Sequence, residues 1–361
     1  MPDKKIKVLV VDDSALVRKI ISDILQKDPA IEVVGTANNG QTAIYKNDSL
    51  DPDVITMDIE MPIMDGLESL RTIIATKPKP VIMMSVLTQH GAEATFKAME
   101  YGAVDFIPKP SSILSLTMDD ISELLVSKVK SVAGIVIKVP EAVATPRADD
   151  APRAKTPRRI EEVRRAAQPI KERSARVIAI GTSTGGPSAL FNVFKNLPHN
   201  LPNPVLVVQH MPEGFTKAFA ERLNANSPLS VKEAADGDIV RPGWGYIAPG
   251  HSHMRIENAG GERIIRVFTA DKVSGHRPSI DVLFDSVAET CGAESVGVIM
   301  TGMGKDGARG MLNIKRKGGY CVAQDEETSV VFGMNRVAVE LGAVDDVVPL
   351  DEIPQKIVEH I

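Results

Sequence analysis

Two cysteines, Cys291 and Cys321, are all that 361 residues contain. That excludes a disulfide framework and a thiolate metal cage, and agrees with a reducing compartment. No apolar run approaches the roughly 20 residues needed to cross a bilayer. The first residues, Met1-Pro2-Asp3-Lys4-Lys5-Ile6, lack the apolar core and small-residue cleavage site of a secretory signal. The expectation is a cytoplasmic protein with no direct membrane insertion. A formal net charge of -5 gives no global attraction to nucleic acid, and no helix-turn-helix with basic recognition residues follows Arg176. What is present, 43% hydrophobic and 25% charged residues, suits a globular chain long enough for two domains, each with its own core.

The first 133 residues alternate short apolar runs with helical spacing. Lys5 to Val11, Ile31 to Ala37, Val54 to Met57, Val81 to Ser85 and Asp105 to Ile107 read as strands. Between and after them, apolar residues such as Leu16, Val17, Ile20, Ile21, Ile24 and Leu25 recur every three or four positions. Five βα units predict a doubly wound, five-stranded parallel sheet whose functional groups gather at the carboxyl ends of the strands. Those ends hold Asp12, Asp13, Asp58, Ser85 and Lys109. Carboxylates packed together either share protons or bind a hard cation, for which Mg²⁺ is suited. With a hydroxyl and an ammonium alongside, such a pocket can transfer a phosphoryl group onto one Asp.

The segments Val10-Val11-Asp12-Asp13-Ser14, Met57 to Gly66 and Gly102 to Pro110 resemble those of response-regulator receiver domains. The resemblance implies a flavodoxin-like fold with Asp58 as phospho-acceptor. It also implies Mg²⁺ held by Asp13, Asp58 and the Glu60 carbonyl with Asp12 in support, phosphoryl contacts from Ser85 and Lys109, and Phe106 as the aromatic that responds.

From 134 to 175 the composition shifts to Pro, Ala and Arg, with nine Lys or Arg against five Asp or Glu between Arg147 and Arg173. This predicts an extended linker kept open by charge; a tether skimming an anionic surface is the other reading.

A second α/β alternation occupies 176 to 361, interrupted by a predicted hairpin, His253 to Glu257 and Ile264 to Phe268, across Gly260-Gly261. Ser183 lies in the glycine-rich turn Gly181-Thr182-Ser183-Thr184-Gly185-Gly186, which by itself suits either an exposed nucleophile or a phosphate cradle. His210 follows the run Val205 to Gln209, and Asp306 follows Val296 to Met300. Three strand ends on one edge therefore carry a serine, a candidate base and an orienting carboxylate. The turns around Thr184 and Met303 leave N–H groups for an oxyanion. The order Ser, His, Asp is not that of the α/β-hydrolases, and the turn lacks a dinucleotide spacing or a P-loop Lys. Singly, each residue has a plain structural alternative: Asp306, for example, as the cap of the following helix. His276 sits in a loop opening a helix and can line the site. His251 and His253 read as a surface turn, a metal pair being the alternative that lacks a third ligand.

Gly181 to Pro187, Gln209-His210-Met211-Pro212, Ser274 to Asp281, Met300 to Gly307 and Ala323 to Gly333 resemble the esterase domain of chemotaxis response-regulator protein-glutamate methylesterases, and the receiver stands in that family's order. The resemblance implies a mostly parallel α/β catalytic domain that hydrolyses γ-glutamyl methyl esters on the cytoplasmic helices of chemoreceptors and deamidates receptor glutamines, with no cofactor for the esterase step. Ser183, His210 and Asp306 would be catalytic, supported by Thr184, His276 and Met303. A chemotaxis histidine kinase would be the phosphodonor, and the receiver would pack on the esterase domain to control it. Asn335 departs from the family's usual Pro, and the linker is longer than in familiar members. A receiver joined to a non-catalytic α/β binding module is the rival reading.

Overall fold

The computed structural model describes residues 4–86, 88–109, 117–137 and 176–361. The linker expected between 134 and 175 lies outside the described residues from 138 onward, as does Pro110.

The first alternation folds into strands β1 (Ile6–Val11), β2 (Ile31–Ala37), β3 (Val54–Asp58), β4 (Val81–Ser85) and β5 (Asp105–Pro108). They form one parallel sheet in the order β2-β1-β3-β4-β5. The helices are α1 (Ala15–Gln26), α2 (Gly40–Leu50), α3 (Gly66–Thr76), α4 (Gln89–Glu100) and α5 (Met118–Val132). Each starts where a short polar side chain accepts a first-turn N–H: Ser14, Asn39, Asp65, Thr88 and Thr117. Every residue of β3 and β4 is buried, because helices cover both faces of a parallel sheet. Apolar runs without alternation are therefore what β3 and β4 require.

The second alternation gives β6 (Val177–Thr182), β7 (Val205–Gln209), β8 (Ser230–Glu233), β9 (Trp244–Ile247), β12 (Ser295–Ile299), β13 (Tyr320–Gln324) and β14 (Asp346–Val348). These run parallel in the order β14-β13-β12-β6-β7-β9-β8. The predicted hairpin is present as β10 (His253–Ala259) and β11 (Glu262–Phe268), turned by Gly260 and Gly261 at φ of 61° and 82°. Two consecutive left-handed residues make the tight turn that matches strand twist. The helices are α6 (Gly186–Asn196), α7 (Phe215–Asn226), α8 (Ile280–Cys291), α9 (Ala308–Arg316), α10 (Met334–Glu340) and α11 (Ile353–Glu359). The hairpin packs on α8, where the Ser286 hydroxyl oxygen accepts from Ile256 N–H at 3.1 Å. Strands β8, β9 and β14 and helices α10 and α11 go beyond the elements read from the sequence. Among the described residues no helix is long and apolar enough to cross a membrane.

The two sheets' domains meet along an aromatic seam. The Phe96 ring of α4 lies 5.3 Å from Phe219, and Phe106 of β5 lies 4.7 Å from Phe215, the latter two partners on α7. Polar contacts surround it: Glu100 pairs with Arg222, Lys272 with Asp120 at 2.8 Å, and the Ser188 hydroxyl reaches Met99 O at 3.5 Å. On α5, the Ser127 hydroxyl lies 3.4 Å from Met303 Sδ. Val330 of the C-terminal domain packs against the receiver-side core.

Candidate active site

Strands β12, β6 and β7 are neighbours, so the residues that follow them share one edge. His210 N–H donates to Thr182 O at 3.1 Å, and Ser183 N–H donates to Thr301 O at 3.0 Å. The serine is thus held between the strand that leads to His210 and the strand that leads to Asp306. Gln209, buried at the end of β7, takes the Thr182 hydroxyl at 2.6 Å and donates to Ser183 O at 2.9 Å, fixing the turn from inside. Two glycines are needed here. Gly185 sits at φ 78°, and a Cβ there would lie 2.6 Å from Val330; a Cβ on Gly302 would lie 2.7 Å from that of Ser183. A side chain at Gly302 would press on the serine itself, and one at Gly185 would be strained by its positive φ and collide with Val330.

His210 Nε2 donates to Asp306 Oδ2 at 2.8 Å, while its Nδ1 is buried without a hydrogen-bond partner. The Ser183 hydroxyl likewise has no partner among the described residues. Asp306 accepts three further donors: the Ser279 hydroxyl at 2.8 Å, Ile280 N–H at 2.7 Å and Asp281 N–H at 3.1 Å. Burial opposes its ionisation, but the His210 bond, together with Ile280 and Ser279, holds the carboxyl below its usual range. An ionised acceptor fixes the imidazole proton on Nε2 and leaves Nδ1 as the basic nitrogen. The nitrogens are exchanged relative to the serine proteases, where Nδ1 faces the Asp.

The sequence offered Asp306 as the cap of the helix after it. It caps α8 instead, and Asp281, the second residue of α8, returns the favour: its Oδ1 accepts Gly307 N–H at 3.1 Å and Gly310 N–H at 2.8 Å at the start of α9. The roles of Ser279 and Asp281 go beyond the residues read as functional from the sequence, although Ser279 ahead of a helical run carries the N-cap signal. His253 is corrected from surface turn to buried group: its Nδ1 accepts Ser279 N–H at 3.2 Å and its Nε2 donates to Asp271 O at 2.9 Å. His251 is exposed, 3.9 Å from Glu213. Asn335, the departure from the family pattern, is buried and donates to Gln324 O and Ser329 Oγ at 2.9 and 2.8 Å, bonds that Pro has no donor to make.

His276 stacks on His210 with ring centroids 3.8 Å apart and planes 13° off parallel. Burial, then the adjacent His210, pushes its pKa down to about 3. Between that value and the ordinary 6.5, the unfolded chain binds a proton there that the folded chain does not, so stability falls as pH drops through this window. In His276→Asn the slope of unfolding free energy between pH 6 and 4.5 is expected to flatten by about 1 kcal/mol per pH unit. Denaturant melts across that range check it; an unchanged slope would count against a buried neutral imidazole. Thr184 is buried and Met303 is partly exposed on the covering side. Neither main-chain N–H has an acceptor among the described residues.

At the first sheet, carboxylate oxygens of Asp12, Asp13 and Asp58 come within 4.8 Å of one another. Lys109 Nζ lies 3.0 Å from Asp12 and 2.7 Å from Asp58. Burial pushes Asp58 up to about 6 against the pull of Lys109, while Lys109, despite its own burial, is raised by the two carboxylates. An all-oxygen donor set with this excess of negative charge fits a hard divalent cation. The Ser85 hydroxyl faces α4, donating to Gly91 O at 3.2 Å and accepting from Thr95 at 2.7 Å. Glu60 is exposed in the loop after Asp58. Phe106 is buried in the seam with α7.

The response regulator receiver domain family matches residues 8–118, and the CheB methylesterase family matches residues 178–357. The protein-glutamate methylesterase/protein-glutamine glutaminase of Pyrococcus abyssi is 46% identical over 358 residues, covering 99% of this chain and 94% of the relative. Its counterpart in Halalkalibacterium halodurans is also 46% identical over 358 residues, with 99% of each chain covered. The crystal structure of the Thermotoga maritima CheB methylesterase catalytic domain shares 45% identity at a TM-score of 0.51, covering 52% of this chain and 98% of that one.

Proposed function

The chain belongs to the CheB methylesterase family, with a response-regulator receiver in front of the esterase domain, and on that premise we propose that it demethylates γ-glutamyl methyl esters on chemoreceptors through Ser183, His210 and Asp306. The observation that carries this is the His210 ring, with its Nε2 proton committed to Asp306 and a bare, buried Nδ1.

Ser183 Oγ attacks the γ-carbonyl carbon as His210 Nδ1 takes its proton, a transfer worth roughly 10²–10⁴ in rate. The oxyanion is received by the free N–H groups of Thr184 and Met303, at the amino end of α6 where the helix dipole is favourable. His210 then returns the proton to the departing methoxide, giving methanol and an acyl-serine. Water, deprotonated by the same imidazole, attacks the acyl carbon and releases glutamate. With a glutamine substrate the same steps release ammonia, in keeping with the second activity in the relatives' names. The esterase step needs no cofactor, and the setting is cytoplasmic.

Phosphorylation of Asp58 by a chemotaxis histidine kinase controls the site. Asp12, Asp13, Asp58 and the Glu60 carbonyl would hold Mg²⁺, which when bound neutralises phosphoryl oxygens. Asp58 supplies the attacking oxygen, Lys109 turns its ammonium to the phosphoryl group, and Ser85 contacts another oxygen. The seam that includes Phe106, with Ser127 over Met303, keeps substrate from Ser183 until Asp58 is phosphorylated. A coupling of about 1–3 kcal/mol gives roughly 5- to 150-fold control. Methanol release from methylated receptor is expected to rise by such a factor on adding a small phosphodonor with Mg²⁺, and Asp58→Asn to abolish the rise while sparing the basal rate. Equal rates with and without phosphodonor in the wild type would sink the gating.

A further inference from the structure

Among the described residues, the two ion pairs that cross the seam are charged in one sense. The receiver supplies the acids and the esterase domain the bases: Glu100 faces Arg222, and Asp120 faces Lys272. Glu100 closes α4 and Asp120 lies in the first turn of α5, so both acids are carried on helices. Helix α4 reaches the first turn of α6, where Ser188 meets Met99 O, close behind the Ser183 turn. Lys272 shares a loop with His276, and its positive charge bears on that imidazole. Arg222 is held in place by its guanidinium over the Phe191 ring, 5.8 Å from the centroid. Neither base has another carboxylate partner among the described residues. On the esterase side the receiver thus pairs with two cations, and its Phe96 and Phe106 lie against Phe219 and Phe215.

Resting on the esterase reading above, we infer that Arg222 and Lys272 form a docking pair for an acidic substrate helix. Carboxylates flanking the ester-bearing residue bind the two bases, and the receiver's α4 and α5 occupy the same cations as stand-ins for that helix. Phosphorylation then exchanges one acidic helical surface for another, which costs little because the bases are never left unpaired in either complex.

Helical peptides with one γ-methyl glutamate, flanked by glutamates or by glutamines, test this with the full chain and phosphodonor. Binding is read by fluorescence anisotropy and turnover by methanol release. Lys272→Gln and Arg222→Gln are each expected to weaken binding of the glutamate-flanked peptide about two- to fivefold and to raise KM alike with kcat kept. The glutamine-flanked peptide should not respond to either change. Asp120→Asn and Glu100→Gln should raise the rate without phosphodonor and leave KM with phosphodonor unaltered. Base variants that release the receiver yet bind the glutamate-flanked peptide as the wild type does would overturn the docking pair. A wild type that binds through both bases but releases no methanol would uphold the docking pair and refute the esterase reading.

Discussion

Ser183→Ala is expected to cut methanol release from methylated receptor by about 10⁴–10⁶-fold, the scale seen when a serine nucleophile is removed from a working triad. The protein should otherwise be unharmed. The hydroxyl has no hydrogen-bond partner to orphan, and the turn is held by main-chain bonds and by Gln209, so the change in unfolding free energy should stay within about 0.5 kcal/mol. Phosphorylation of Asp58 should proceed as before, since that chemistry is in the other sheet. Full-rate hydrolysis by the variant would remove Ser183 from the mechanism. A large drop in melting temperature would instead assign the residue to the fold.

Asp306→Asn should cost about 10³–10⁴-fold in kcat, and unlike the serine change it should also cost stability. An amide offers one oxygen where the carboxylate offers two, yet four donors converge on it, from His210, Ser279, Ile280 and Asp281. At least one buried donor is orphaned, a loss of about 1–3 kcal/mol. Catalytically, an Asn NH₂ turned to His210 draws the imidazole proton to Nδ1, the nitrogen that in the proposed mechanism accepts from Ser183. The two effects separate experimentally: urea melts report the capping loss, and turnover measured well below the melting range reports the tautomer. A variant with full stability and full activity would show that Asp306 neither caps α8 nor orients the base.

These expectations were readable in unequal measure from the sequence. Strand ends are legible because apolar runs stop abruptly at polar residues, so Asp58, Ser183, His210 and Asp306 fall where the alternation places them. Direction is not legible: nothing in the letters says that Asp306 reaches back to α8 rather than forward to α9, or that Ser85 turns toward α4. The edge strands β8 and β14, and β9 beside β8, are three or four residues long, too short for a period of two to stand out among prolines and glycines. His253 escaped because burial is a property of the packed hairpin. The elements that read clearly, such as α8 and β7, are those whose residues are mostly buried, so that apolar runs or helical spacing stand out in the letters.

The seam between the domains has one further consequence. Phenylalanine is sparse, nine residues in all, and Phe96, Phe106, Phe215 and Phe219 are all placed in this seam. A closure centred on apolar rings carries a negative heat-capacity change, and its driving force near room temperature is mostly entropic. Such a clasp weakens on cooling. The receiver's grip on the esterase is therefore temperature-dependent by construction: cold loosens it, and warmth within the folded range tightens it, quite apart from any phosphoryl group on Asp58.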